Sequence, residues 1–294
     1  MGCLDLSKNK KKKSRILAIE AHPDDLTYFY GGTAAKLVMD GHDFRVITVT
    51  KGSQSTCDPQ FSEEKITEKL MEEHKNALEI IGIDDNVQLS GFTNHFMYDS
   101  ETKLKLRETI IKQIREYKPD TIICFDPSNV FEENPDHSLL SKVTIEASSF
   151  AAYPLVHKEH IEEGLEPYFV SRILMTPTSH PNMFVNIAEE PLEKKKLAGA
   201  AYQTQLDLMI TEIKQRLRNA GLDPDLDDID REDLWFNVCE SDAKSCARES
   251  RKYYQNHPKL APRVPLEYAE SFRMCFLGAV EKIKSYLPKE CFEL

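Results

Sequence analysis

The chain has 294 residues, 40% of them apolar and 30% charged, with a formal net charge of −11. That length buries a sizeable core as one large domain; the composition is that of an ordinary soluble globular protein, and the negative balance disfavours nonspecific nucleic-acid binding. The longest apolar runs, such as residues 121–125, fall far short of the roughly 18 residues that a membrane span needs.

Residues 1–14 read as a basic flexible tail, with four consecutive lysines at 10–13, and residues 15–294 as one domain. No secretory signal is visible, because the apolar run after the tail is short and ends in His22-Pro23-Asp24-Asp25. Seven cysteines, an odd number without a CxxC pair, imply reduced thiols and a cytoplasmic setting.

Strand and helix then alternate. Residues 16–21 (Ile-Leu-Ala-Ile-Glu-Ala) are strand-like, Gly31-Gly32 opens a helical pattern to Met39, and Asp40-Gly41-His42 turns the chain into a strand over 44–50. Ser62 is a helix N-cap, and Gly82 stops that helix after Ile81. A short strand at 87–89, a helix over 103–117 and a buried strand at 121–125 follow. A loop at 126–134 precedes a helix from Pro135 to Ala152. Strands separated by helices of this size make βαβ units, hence an α/β fold with a mostly parallel sheet. Beyond it, residues 172–175 and 184–187 read as strands, 189–218 as one long helix and 267–286 as a C-terminal helix. The acidic stretch 219–233 reads as a surface loop or lid.

The chemistry starts at the first loop. His22 and Asp25 lie three apart, and imidazole with carboxylate suits zinc. Asn134-Pro135-Asp136-His137 follows another buried strand, which puts it on the same carboxyl edge of the sheet. His137 can then complete a His/Asp/His set with one coordination position left for water. The residues alone leave a second reading open, in which Asp caps one helix and Asn134 with Pro135 caps the other. On the metal reading, Asp24 stands beside a ligand without being one. It can take a proton from metal-activated water and return it to a leaving amine, which is amide hydrolysis.

Ala21-His22-Pro23-Asp24-Asp25, Gly31-Gly32 and Pro135-Asp136-His137 together resemble the zinc-dependent N-deacetylases of the PIG-L/LmbE family, and within it most the archaeal diacetylchitobiose deacetylase branch. Phe125-Asp126-Pro127, Val185-Asn186-Ile187, Gln203-Thr204-Gln205 and Tyr268-Ala269-Glu270-Ser271-Phe272 extend the likeness over about residues 15 to 275. The resemblance implies a Rossmann-like fold and Zn²⁺ held by His22, Asp25 and His137, with Asp24 as general base. It also implies removal of an acetyl group from an N-acetylglucosamine-type sugar or its conjugate, in a homo-oligomer, a trimer or hexamer.

Four positions depart from the family. Its usual His-Pro-Asp-His begins here with Asn134, which can contact substrate or transition state through a hydrogen bond but cannot deliver a proton. Leu70 stands for an arginine before Glu73, Asn94 for an aspartate and Tyr202 for a histidine. These changes are expected to spare the metal and alter the substrate wall. The alternative function they raise is a non-catalytic or weakly active metal-containing glycan-binding relative. A nucleotide-binding module is set aside, since no G-x-G-x-x-G follows the first strand. Among other residues, His95, Tyr98 and His180 are pocket-lining candidates. His42, His74, His157 and His160 read as surface residues, and Trp235 with Phe236 as a loop anchor rather than a sugar platform.

Overall fold

The first strand, β1 (Arg15–Glu20), is buried on both faces: Ile16 and Ala18 enter one apolar cluster, Leu17 and Ile19 another. Burial on both sides marks a central strand in a sheet covered by helices above and below. The computed structural model describes residues 13–95, 99–129, 131–222, 229–287 and 289–292. After β1 come α1 (Asp25–Met39), β2 (Asp43–Thr48), α2 (Glu63–Ile81), β3 (Asp85–Gln88), α3 (Ser100–Tyr117), β4 (Thr121–Cys124) and α4 (Pro135–Phe150). The second half adds α5 (Lys158–Glu162), β5 (Arg172–Met175), β6 (Met183–Asn186), α6 (Glu190–Ala200), α7 (Gln203–Asn219), α8 (Arg231–Asn256), β7 (Ala269–Phe276) and α9 (Val280–Ile283).

The strands form one sheet in the order β3-β2-β1-β4-β5-β7-β6. From β3 to β5 neighbours pair in parallel, whereas β7 runs antiparallel to β5 and to β6. This is the expected Rossmann-like single domain. Leu26, Leu70, Ala198 and Trp235 cover one face from α1, α2, α6 and α8; Leu106, Ile110, Leu140 and Val143 cover the other from α3 and α4. The order reverses between β1 and β4, the point at whose carboxyl ends sheets of this kind bind ligands.

Local chemistry sets several boundaries as expected. Ser62 accepts from Lys65 N at 3.2 Å to cap α2, and Gly82, at φ 97°, ends it. Asn134 accepts from Asp136 N at 2.9 Å, with Pro135 in the first turn of α4.

Other boundaries differ. Helix α1 starts at Asp25, not at the glycine pair, and is broken at Tyr30 (φ −147°, ψ 28°). Glu270 on β7 explains the break: it accepts from Gly32 N at 3.2 Å and Thr33 N at 2.6 Å, capping the second half, and is paired with Lys195 at 2.7 Å. The helix expected over 189–218 is two, α6 and α7, because Tyr202 leaves helical geometry (φ −85°, ψ 66°) and donates its hydroxyl to Pro23 O at 2.6 Å. The helix expected over 267–286 is helical only from Val280; before it runs strand β7, in which Phe272, Met274 and Phe276 are buried on alternate residues. Helix α8 was not anticipated. Its buried stripe, Trp235, Cys239, Ala243 and Ala247, is spaced four apart but mostly small. It follows the acidic stretch, of which residues 223–228 lie outside the described residues, as does Tyr98 and as do residues 1–12 of the basic tail.

His74 and His160 are buried rather than on the surface. His74 is held between Tyr202 OH at 2.9 Å and the Thr48 hydroxyl at 3.2 Å, and His160 takes a bond from the Arg115 guanidinium at 3.2 Å. Trp235 is the anchor expected of it. Its Nε1 donates to Lys196 O at 3.0 Å, and its ring fills the space where any side chain at Gly199 would have to go, a Cβ there meeting it at 2.2 Å.

Candidate active site

The turn after β1 is held by one carboxylate. Asp25 Oδ2 accepts from Ala21 N at 3.0 Å and His22 N at 2.8 Å, which folds the loop back on the first turn of α1. Its Oδ1 is left to face the 134–137 segment, where it lies 3.2 Å from His137 Nε2. His22 Nδ1 stands 3.4 Å from Asp25 Oδ2 and 3.2 Å from His137 Nε2. The structure thus brings His22, Asp25 and His137 together as a buried group whose ligand atoms all lie within 4.8 Å of one another.

Each imidazole is oriented from behind. His22 Nε2 lies 3.2 Å from Asp136 Oδ2, and Asp136 is fully buried. His137 stacks on Phe125 with ring centroids 4.0 Å apart and 8° between planes, and Phe29 meets its edge. Glu132 Oε1 is 3.2 Å from His137 Nδ1, an ion-pair distance whose alignment is not that of a hydrogen bond. Carboxylates behind ligating histidines fix the tautomer and the ring direction. Two imidazoles and one carboxylate form a donor set that suits a divalent cation such as zinc once both rings have given up a proton.

The carboxylates make this a place that favours positive charge. Burial works against a proton on His22, but Asp25 and Asp136 outweigh it and hold the imidazole at about 10. His137 is likewise brought to about 9 by Asp25 and Glu132 against burial. For Asp25 the two imidazoles overcome burial and keep the carboxyl well below the carboxylate range. Asp24 differs. Burial, then repulsion from Asp25, pushes it up to about 6, and as N-cap residue of α1 it makes no capping bond with its side chain. A carboxyl near neutrality beside a ligand set is equipped to exchange a proton.

Asp136, Glu132 and Phe125 were not among the sequence candidates. Asp136 sat within the quoted Pro-Asp-His motif, but nothing in a single sequence tells a tautomer-fixing carboxylate from a first-turn aspartate. The three departures at Leu70, Asn94 and Tyr202 are fully buried, contrary to the expectation that they alter the wall. Leu70 packs where a side chain at Gly52 would fall, and Tyr202 braces Pro23 from beneath. His180 is exposed on the loop after β5.

Residues 17–148 match the family described as PIG-L, GlcNAc-PI de-N-acetylase. The diacetylchitobiose deacetylase of Thermococcus kodakarensis is 31% identical over 191 residues, which is 65% of this chain and 70% of that protein. The chain belongs to the PIG-L family. It is an N-deacetylase, a hydrolase of linear amide C–N bonds, and the resemblance to the archaeal branch holds. The mycothiol S-conjugate amidase of Streptomyces coelicolor is 25% identical over 253 residues, 76% of this chain and 85% of that one. The N,N'-diacetylchitobiose deacetylase of Pyrococcus horikoshii has the same fold, with a TM-score of 0.70 at 24% identity over 92% of this chain and 87% of that one. No helix among the described residues is long and apolar enough to cross a membrane.

Proposed function

We propose that the protein removes the acetyl group from an N-acetylglucosamine-type sugar or its conjugate, with Zn²⁺ held by His22, Asp25 and His137 and with Asp24 as general base. The observation that carries the reading is the buried His/Asp/His group with the Asp24 carboxyl next to it in the chain, its side chain making no capping bond. The substrate class is supported by the relatives, whose names specify diacetylchitobiose and a mycothiol conjugate.

When bound, the ion supplies Lewis acidity to the attacking water and the amide carbonyl. The protein's own groups do the rest. Asp24 accepts the proton of the attacking water and returns it to the amine as the C–N bond breaks, so one carboxyl serves both transfers. Asp136 and Glu132 hold the ligating imidazoles in one orientation. Asn134, whose Oδ1 is used in capping α4, has its amide nitrogen left for substrate. The family resemblance supports a homo-oligomer, trimer or hexamer, and the unpaired odd cysteine count supports a cytoplasmic setting, with residues 1–14 as a tail outside the domain.

The test is acetate release from a panel of N-acetylated sugars and conjugates by metal-quantified protein. One zinc per chain is expected, and Asp24→Ala should keep the metal and lose acetate release. Full activity in Asp24→Ala would sink the mechanism. Tight binding of an unhydrolysed N-acetyl sugar by the wild type would favour the glycan-binding alternative.

A further inference from the structure

Residue 95 is a histidine at φ 66°, in the left-handed region where a side chain costs backbone energy that glycine does not. Its backbone is tied to the candidate site: His95 N donates to Asp136 Oδ2 at 2.7 Å. That same oxygen lies 3.2 Å from Nε2 of His22. One carboxylate therefore sets both the direction of a ligating imidazole and the position of residue 95. The His95 ring is exposed, and its centroid is 6.3 Å from that of His22 at an interplanar angle of 38°. On either side of this link two buried polar atoms have no partner among the described residues, Asn94 Nδ2 and Asp136 Oδ1.

Position 134, at the N-terminus of α4, carries an amide and not an imidazole. Asn134 spends its side-chain oxygen on Asp136 N at 2.9 Å, and Glu132, within 3.2 Å of His137, is an acceptor when ionised. Amide hydrolysis builds negative charge on the acyl oxygen, and a fixed donor aimed there lowers the barrier. Backbone strain held next to such a site is the expected signature of a side chain placed for function rather than stability.

We propose that His95 donates the hydrogen bond to the acetamido group of the substrate that residue 134 does not supply as an imidazole. This rests on the deacetylase reading above. It makes His95 a catalytic residue that reaches the substrate from the β3–α3 loop, beside the first turn of α4.

The decisive variant is His95→Gly, which removes the imidazole and relaxes the backbone together. On N,N'-diacetylchitobiose, kcat should fall by roughly 10- to 1,000-fold with KM little changed. Zinc content should stay constant and the thermal midpoint should stay equal or rise. Added imidazole should restore part of the lost kcat in His95→Gly and do nothing for the wild type. His95→Asn, which also tolerates the left-handed backbone, should fall between the two. Unchanged kcat in His95→Gly, or a loss that tracks zinc content or melting, overturns the inference. Binding of a methylphosphonamidate of glucosamine, a tetrahedral mimic, gives a second readout, and it should weaken at least tenfold in His95→Gly. A wild type that neither releases acetate nor binds the mimic fails both the deacetylase reading and this one. An active wild type whose His95→Gly variant is undiminished fails this one alone.

Discussion

Asp136 Oδ2 sits 3.2 Å from His22 Nε2, although Asp136 is carried by α4 and His22 by the turn after β1. The neighbour of His137 in the chain therefore orients His22, and a single carboxylate ties the two loops together. Asp136→Ala should lower zinc affinity about 10- to 100-fold. Competition against a chelator of known affinity measures this, and unchanged affinity would show that the contact is incidental. The far-ultraviolet circular dichroism of the variant should match the wild type.

His74 gives a pH-dependent stability. Burial draws its imidazole down from the usual 6.5 to about 4. The unfolded chain takes up a proton below 6.5 that the folded chain refuses until about 4. Stability is thus lost as pH falls through that window and levels off below it, by up to about 3 kcal/mol. Glu20, raised by burial and by Asp25, acts in the opposite sense above its usual 4.5. The histidine contribution is accordingly read as the difference between wild type and His74→Gln in urea melts from pH 7 to 4. A difference independent of pH would refute it.

Glu270 and Lys195 form a buried pair, each less than a tenth exposed. Glu270→Ala leaves the ammonium unpaired and orphans the N–H groups of Gly32 and Thr33. The loss should be about 3–5 kcal/mol, read from denaturant midpoints. Glu270→Gln, which keeps an acceptor for one backbone group, should lose less.

Gly199→Ala should destabilise by about 1–3 kcal/mol through overpacking, because the new methyl would fall 2.2 Å from the Trp235 ring. The fluorescence of Trp235, the protein's one tryptophan, should shift as that ring moves. An unshifted spectrum with unchanged stability would contradict this packing.

Legibility followed the range of the forces involved. Ser62, Gly82 and Pro135 act within a turn of themselves, and the helix ends they mark came out as read. The gathering of His22, Asp25 and His137 was readable because strand-to-helix loops of a parallel sheet share one edge. What failed depended on distant partners. The break at Tyr30 needs Glu270, the break at Tyr202 needs Pro23, and strand β7 needs β5 and β6 on either side. Helix α8 escaped notice because it buries alanine and cysteine, whose small side chains give a weak periodic signal. Leu70, Asn94 and Tyr202 were misplaced on the wall because aligning a residue to a motif does not tell which way its side chain points.

Strand β7 also has a consequence for how the molecule is made. His22, Asp25 and His137 have all been added to the chain by residue 137, yet the strand between β5 and β6 begins only at Ala269. Until then β6 has no neighbour, Lys195 has no counter-ion and the second half of α1 has no cap. Synthesis proceeds from the N-terminus, and domains fold as units when their last pieces emerge. A stalled nascent chain ending near residue 260 should therefore be protease-sensitive around Tyr30. Such a chain would carry His22, Asp25 and His137 while lacking the carboxylate that caps the second half of α1.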